Sequence, residues 1–157
     1  MNSFEHLQNL AKAGANILHL SSFEWERVRG HVIGLGNTLR LSIHVWSQST
    51  GLHTCSDQGQ LNVEDEAATD PLELLKAIHG GSEPGIWLLE DFHPFLREEH
   101  HSLLRWLREL ARMPAYPRKL VVLSTPLPGL PWRARCCRAV LRVAAAWASA
   151  CACSAVT

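Results

Sequence analysis

The chain has 157 residues, 46% of them hydrophobic and 19% charged, with a formal net charge of zero. That length and apolar content fit one globular domain with its own core and exclude a wholly disordered chain. The charge balance argues against a general nucleic-acid or membrane-surface binder, no apolar run nears the ~20 residues of a spanning helix, and the N-terminus has no basic leader, so a cytoplasmic protein is expected.

Phe4, Leu7, Leu10 and Ala11 recur at helical spacing over residues 4–13, and Gly14 is placed to end that helix. Ile17-Leu18-His19-Leu20 predicts a short first strand. Ser21, with Glu24 three residues on, has the pattern of a capping box. Trp25, Val28 and Val32 mark one face of a second helix, which Gly34 and Gly36 are expected to close. Leu39, Leu41, Ile43 and Val45 alternate with Arg40, Ser42, His44 and Trp46, which predicts a strand near a sheet edge. Residues 47–69 are polar and include Glu64, Asp65 and Glu66; they are expected to form a long surface excursion with room for a short hairpin. Cys55 lies there as a lone thiol.

Asp70-Pro71-Leu72-Glu73 is a helix start, with a capping carboxylate, a proline at the first helical position and an acid at the third. Leu74, Leu75 and Ile78 are its buried stripe, and Gly80-Gly81 its stop. Residues 85–92 form a bare apolar run ending in Glu90 and Asp91, the pattern of a strand buried on both faces. Pro94 bends the chain away. Leu96, Leu103, Leu104, Leu107, Leu110 and Ala111 give the strongest helical stripe, terminated by Pro114 and Pro117. Lys119 to Ser124, apolar at its centre, predicts a last buried strand with Thr125-Pro126 as its exit. Helices alternating with strands predict an α/β, three-layer fold with a mainly parallel sheet of about four strands.

Residues 132–157 read differently. They carry Arg133, Arg135, Arg138 and Arg142 with no acid, nine alanines, and Cys136, Cys137, Cys151 and Cys153. Neither cysteine pair has the spacing of structural zinc. An acid-free Ala/Arg/Cys tract is what a GC-rich gene yields in a shifted frame, so this tail is expected to be non-native. Two units follow: residues 1–131 as the α/β domain and 132–157 as an atypical tail.

Acids at the carboxyl end of a buried parallel strand stand where open α/β sheets bind ligands. In nucleotide hydrolases such a position, the Walker B site, holds magnesium and orients water. That chemistry also needs a glycine-rich loop after the first strand, whose backbone N–H groups and lysine cradle the phosphates. Here the first strand is followed by Ser21-Ser22-Phe23-Glu24-Trp25-Glu26, without glycine or lysine and with two carboxylates of the wrong sign. Glu90 and Asp91 also stand in reverse of the usual Asp-then-Glu order. Two readings remain for them: a metal or general-base site, or a solvated strand end that caps or ion-pairs the next helix. Ser124 occupies the place of a polar residue that senses a γ-phosphate. A metal set built from Asp91, His93, His100 and His101 is weighed against a solvated helix face, which explains the histidines more simply.

Leu18 to Arg27, Val45 to Leu52, Asp70 to Leu75, Trp87 to His93, Arg105 to Leu110 and Val121 to Pro126 stand in a distinctive order and spacing. Over about residues 5–131 they resemble the N-terminal region of an AAA-type ATPase family known from hypothetical chloroplast reading frames and their bacterial relatives. The resemblance implies a degenerate P-loop NTPase-like fold lacking its phosphate loop, ahead of a complete ATPase module that carries ATP and magnesium. It implies a regulatory or interaction domain, truncated before that module. No cofactor and no catalytic or metal residue is expected in this chain. Glu90, Asp91 and Ser124 are read as vestigial Walker B and sensor positions. The expected partner is protein, either the ATPase module or a second copy, with neither nucleic acid nor membrane. The competing class is a nucleotide-binding or metal-dependent hydrolase using Glu90 and Asp91.

Overall fold

The order of elements is α1 (Ser3–Lys12), β1 (Ile17–Ser21), α2 (Trp25–Leu39), β2 (Ile43–Ser47), β3 (Gly51–Cys55), β4 (Leu61–Asp65), α3 (Pro71–Gly80), β5 (Gly85–Leu89), a 3-10 turn at His93–Phe95, α4 (His101–Ala111), β6 (Lys119–Thr125) and β7 (Leu141–Arg142). The structure, a computed structural model, describes residues 3–126 and 141–142. The expectation of a non-native tail at 132–157 therefore lies outside the described residues, except at Leu141 and Arg142, which pair parallel with β1.

The sheet runs β4-β3-β2-β5-β6-β1-β7. Its centre, β2, β5, β6 and β1, is parallel, while β3 and β4 are antiparallel. The α/β class is as expected, but the sheet is mixed and wider than four mainly parallel strands. The difference comes from residues 47–69, which fold into the β3–β4 hairpin against β2. From Asn62 to Asp65 β4 is exposed, so it carries none of the apolar alternation that marks a buried strand. The hairpin makes β2 an internal strand, not one near the sheet edge, and Trp46 on it is fully buried.

The unbroken apolar runs of β5 and β6 follow from burial on both faces. Leu18, Leu20, Ile86, Leu88, Leu120 and Val122 point into one core with Leu7 and Ala11 of α1 and Val28, Val32 and Leu35 of α2. Their neighbours Ile17, Trp87, Leu89, Val121 and Leu123 point into the other, with Leu74, Leu75 and Ile78 of α3 and Leu103, Leu107 and Leu110 of α4. Residues two apart share a face of a strand, so each of these strands feeds both cores and the described residues form three layers.

Several local expectations are corrected. α2 runs through Gly34 and Gly36 and ends only at Arg40, which takes the left-handed φ of 55° and donates its N–H to Gly36 O. Gly36 serves packing instead: a Cβ there would lie 2.6 Å from the Ile43 side chain. Leu96 precedes α4 and buries against it from the end of the 3-10 turn. The Asp70 cap forms as expected, its Oδ1 accepting the Leu72 N–H at 2.8 Å. Lys119, a charge at the head of an apolar strand, is buried and donates to Ile78 O at 2.7 Å, to His79 O at 3.1 Å and to Gly81 O. Its ammonium thus satisfies carbonyls at the negative end of α3, while burial pushes its pKa down.

Candidate functional site

The parallel strands end on one edge, at Ser21, Ser47, Leu89 and Thr125. From β1 the chain crosses to β2 through α2 on one face, whereas β5 and β6 are reached through α3 and α4 on the other. At this edge β1 leads into α2 on one face and β5 into α4 on the other, with β6 between them, the kind of divergence at which open α/β sheets form a crevice. A cleft of about 560 Å³ opens at this edge. Ser22, Phe23, Trp25 and Arg29 line it from the start of α2, His53, Leu61 and Val63 from the hairpin, and Glu90, Asp91 and Ser124 from the ends of β5 and β6. The structure therefore brings the three sequence-predicted residues, Glu90, Asp91 and Ser124, to one cleft.

Glu90 leaves β5 with its N–H donated to Trp46 O at 2.9 Å. Its Oε1 accepts from Arg29 Nη2 at 2.7 Å and from Arg29 Nε at 3.2 Å. Both side chains are about four-fifths covered, at 20% and 19% exposure. The Arg29 guanidinium also lies 4.9 Å from the centre of the Trp25 ring. Glu90 is thus an ion-pair partner of the helix after β1, not of the next helix. Arg29 was missed in the sequence; the signal available was its position one turn after Trp25, where i and i+4 side chains meet.

Asp91 is exposed and takes φ of 50°, a conformation aspartate tolerates better than most residues. That turn sends Phe92 back into the core, with its N–H on Ser124 O at 3.1 Å. Asp91 caps neither the 3-10 turn nor α4, whose N-cap positions are Phe92 and His100. Ser124 is buried at the end of β6. Beside it, Thr125 Oγ1 and His19 Nε2 are 2.6 Å apart, and Thr125 O accepts the Ser22 N–H at 2.9 Å.

The capping box expected at Ser21 does not form. Ser21 is the last residue of β1, and Glu24 is the N-cap of α2 with no side-chain cap bond. Ser22 Oγ accepts the Glu24 N–H at 3.0 Å, and the Glu24 carboxylate turns to Arg27 at 3.0 Å. Three residues, Ser22-Phe23-Glu24, join the strand to the helix.

His100 lies edge-on to Phe95, with ring centres 6.2 Å apart, and His101 is exposed at the start of α4. Among the described residues no group of three His, Cys, Asp or Glu side chains is placed to hold a metal ion. Cys55 is not in a loop; it ends β3 and is buried. Burial raises its thiol pKa, with Arg29 opposing and Glu90 adding to the rise. At pH 7 it is expected to alkylate with iodoacetamide several-fold more slowly than a free cysteine, read by mass spectrometry of its own peptide. No helix of the described residues is long and apolar enough to cross a membrane.

Residues 3–131 match the family model described as the SpoVK-like AAA ATPase, N-terminal domain. Comparison with curated proteins and with solved structures gives no match.

Proposed function

The chain belongs to the SpoVK-like AAA ATPase N-terminal domain family, and on that premise we propose that it is a non-catalytic domain that works through protein–protein contact, regulating or positioning an ATPase module. The Arg29–Glu90 pair carries this reading. A working hydrolase needs its carboxylate at the end of this strand free for magnesium, which demands octahedral oxygen ligands and sheds its water reluctantly. Here a guanidinium of the same chain makes two hydrogen bonds to Glu90. Magnesium bound at Glu90 would have to displace them.

The β1–α2 connection supports the same reading. A phosphate cradle needs glycine-built amides and a lysine. Ser22-Phe23-Glu24 offers neither, and Glu24 and Glu26 put negative charge at the helix end that would face the phosphates. The residues of this cleft do not fit a nucleotide with its metal. ATP and magnesium are accordingly assigned to the ATPase module, and Glu90, Asp91 and Ser124 to vestigial positions.

Calorimetric titration of the chain with ATP and magnesium tests this. No saturable heat is expected up to millimolar nucleotide. Binding tighter than millimolar that is lost in Asp91→Ala would establish the competing reading, a nucleotide-binding or metal-dependent hydrolase using Glu90 and Asp91.

Arg29→Ala is expected to lower the unfolding free energy by about 1–3 kcal/mol, because it leaves a mostly covered carboxylate without its donors. Arg29→Lys should recover only part of that loss, since an ammonium cannot reproduce the fork that reaches Glu90 through both Nε and Nη2. Urea unfolding of the two variants measures both.

A further inference from the structure

Building on the interaction reading above, we infer that the cleft at the carboxyl edge is the docking site for a basic segment of a partner protein. A lysine or arginine of that segment sits beside Asp91, and its apolar neighbours lie against Phe23, Trp25 and Val63.

Among the described residues, the large hydrophobic side chains left exposed are Phe23 at 77%, Trp25 at 54%, Val63 at 58% and Tyr116 at 87%. Three of these four line this one cleft. Phe23 and Trp25 come from the start of α2 and Val63 from the edge strand β4. Stretches about forty residues apart in the chain are thus brought together by the fold to expose their apolar groups at one place. Exposed aromatic groups gathered in a concave site are the usual anchors of a protein interface.

Charge selects the occupant. Among the described lining residues, Arg29 and Glu90 neutralise each other, which leaves the Asp91 carboxylate and the His53 imidazole, and none is a lysine. Glu26 beside Trp25 in the chain is exposed, while Glu24 on its other side is paired with Arg27. An acidic ligand would have to pull Glu90 off Arg29 while facing Asp91. A basic one leaves that pair intact, gains Asp91, and meets aromatic faces that attract cations. Trp25 already holds the Arg29 guanidinium in this way.

The test uses a short fluorescent peptide alternating lysine with leucine, and its counterpart with every lysine replaced by glutamate. Anisotropy titration against the full chain is expected to show saturable binding of the basic peptide, at least about tenfold tighter than of the acidic one. Asp91→Asn is expected to weaken it about tenfold; asparagine is chosen because it too accepts the left-handed backbone. Phe23→Ser, at a ring mostly in solvent, should weaken it by a similar factor without changing the melting temperature. Equal binding of the two peptides, or binding unmoved by both substitutions, overturns the inference and leaves the interaction reading standing. Saturable binding of ATP with magnesium to the chain in the absence of peptide would overturn that reading as well, because nucleotide would then own the cleft.

Discussion

Trp46→Ala is expected to remove about 3–5 kcal/mol of unfolding free energy. Trp46 sits on β2 between β3 and β5, and its side chain is fully buried. It meets Phe92 edge-on with ring centres 5.9 Å apart and Phe95 at 6.2 Å, and its indole N–H donates to Ala68 O. Truncation opens a cavity under α3 and removes a buried donor, and both effects act in the same direction. A domain of this size has about 5–15 kcal/mol in total, so the loss is a large share of its stability. Trp46→Phe keeps most of the volume and loses the donor, and is expected to cost about 1–3 kcal/mol. Urea unfolding followed by circular dichroism measures both; a loss below about 1 kcal/mol for the alanine variant would contradict the placement of this ring in the core.

Gly51→Ala should be nearly as damaging, at about 2–5 kcal/mol, for a different reason. Gly51 opens β3 with φ of 77°, in the left-handed region, and a Cβ there would run into Asp65 O and come within 2.8 Å of Glu66 O. These are backbone atoms, so neither can move aside as a side-chain tip would. The strained hairpin carries His53, Leu61 and Val63, which form one wall of the cleft. Peptide binding is therefore expected to fall together with stability. Gly30→Ala is the contrast. In the middle of α2 its Cβ would meet nothing within 4 Å, so the substitution should add about 0.5–1 kcal/mol through helix propensity. Loss of stability in Gly30→Ala of the size seen in Gly51→Ala would mean that the backbone geometry at Gly51 is not the cause.

What could be read in the sequence divides along physical lines. The helix at Asp70 and the strands at 85 and 119 were legible because their signals are local: a side-chain cap, a proline, a bare apolar run. The end of α2 was not. Gly34 and Gly36 look like stop signals, but Gly36 is there because Ile43 packs against the helix, a contact that only the folded chain supplies. A short hairpin within residues 47–69 was within reach of the sequence, but its pairing with β2 was not, because a strand as exposed as β4 needs no apolar period. Placement of Glu90, Asp91 and Ser124 on one edge follows from strands that all run the same way, and so was foreseeable. The ion pair from Arg29 to Glu90 spans 61 positions in the chain, and no spacing rule reaches that far. It is also what turns the reading of Glu90 from an open carboxylate to a neutralised one.

The proposed role stands on the cleft having no place for a triphosphate. Heteronuclear NMR of the labelled chain titrated with ATP and magnesium tests that at the residues concerned. The amides of Ser22 to Trp25, Glu90, Asp91 and Ser124 are expected to stay in place up to millimolar nucleotide, while the basic peptide shifts them. Saturable shifts at those amides with ATP and magnesium would contradict the proposed role.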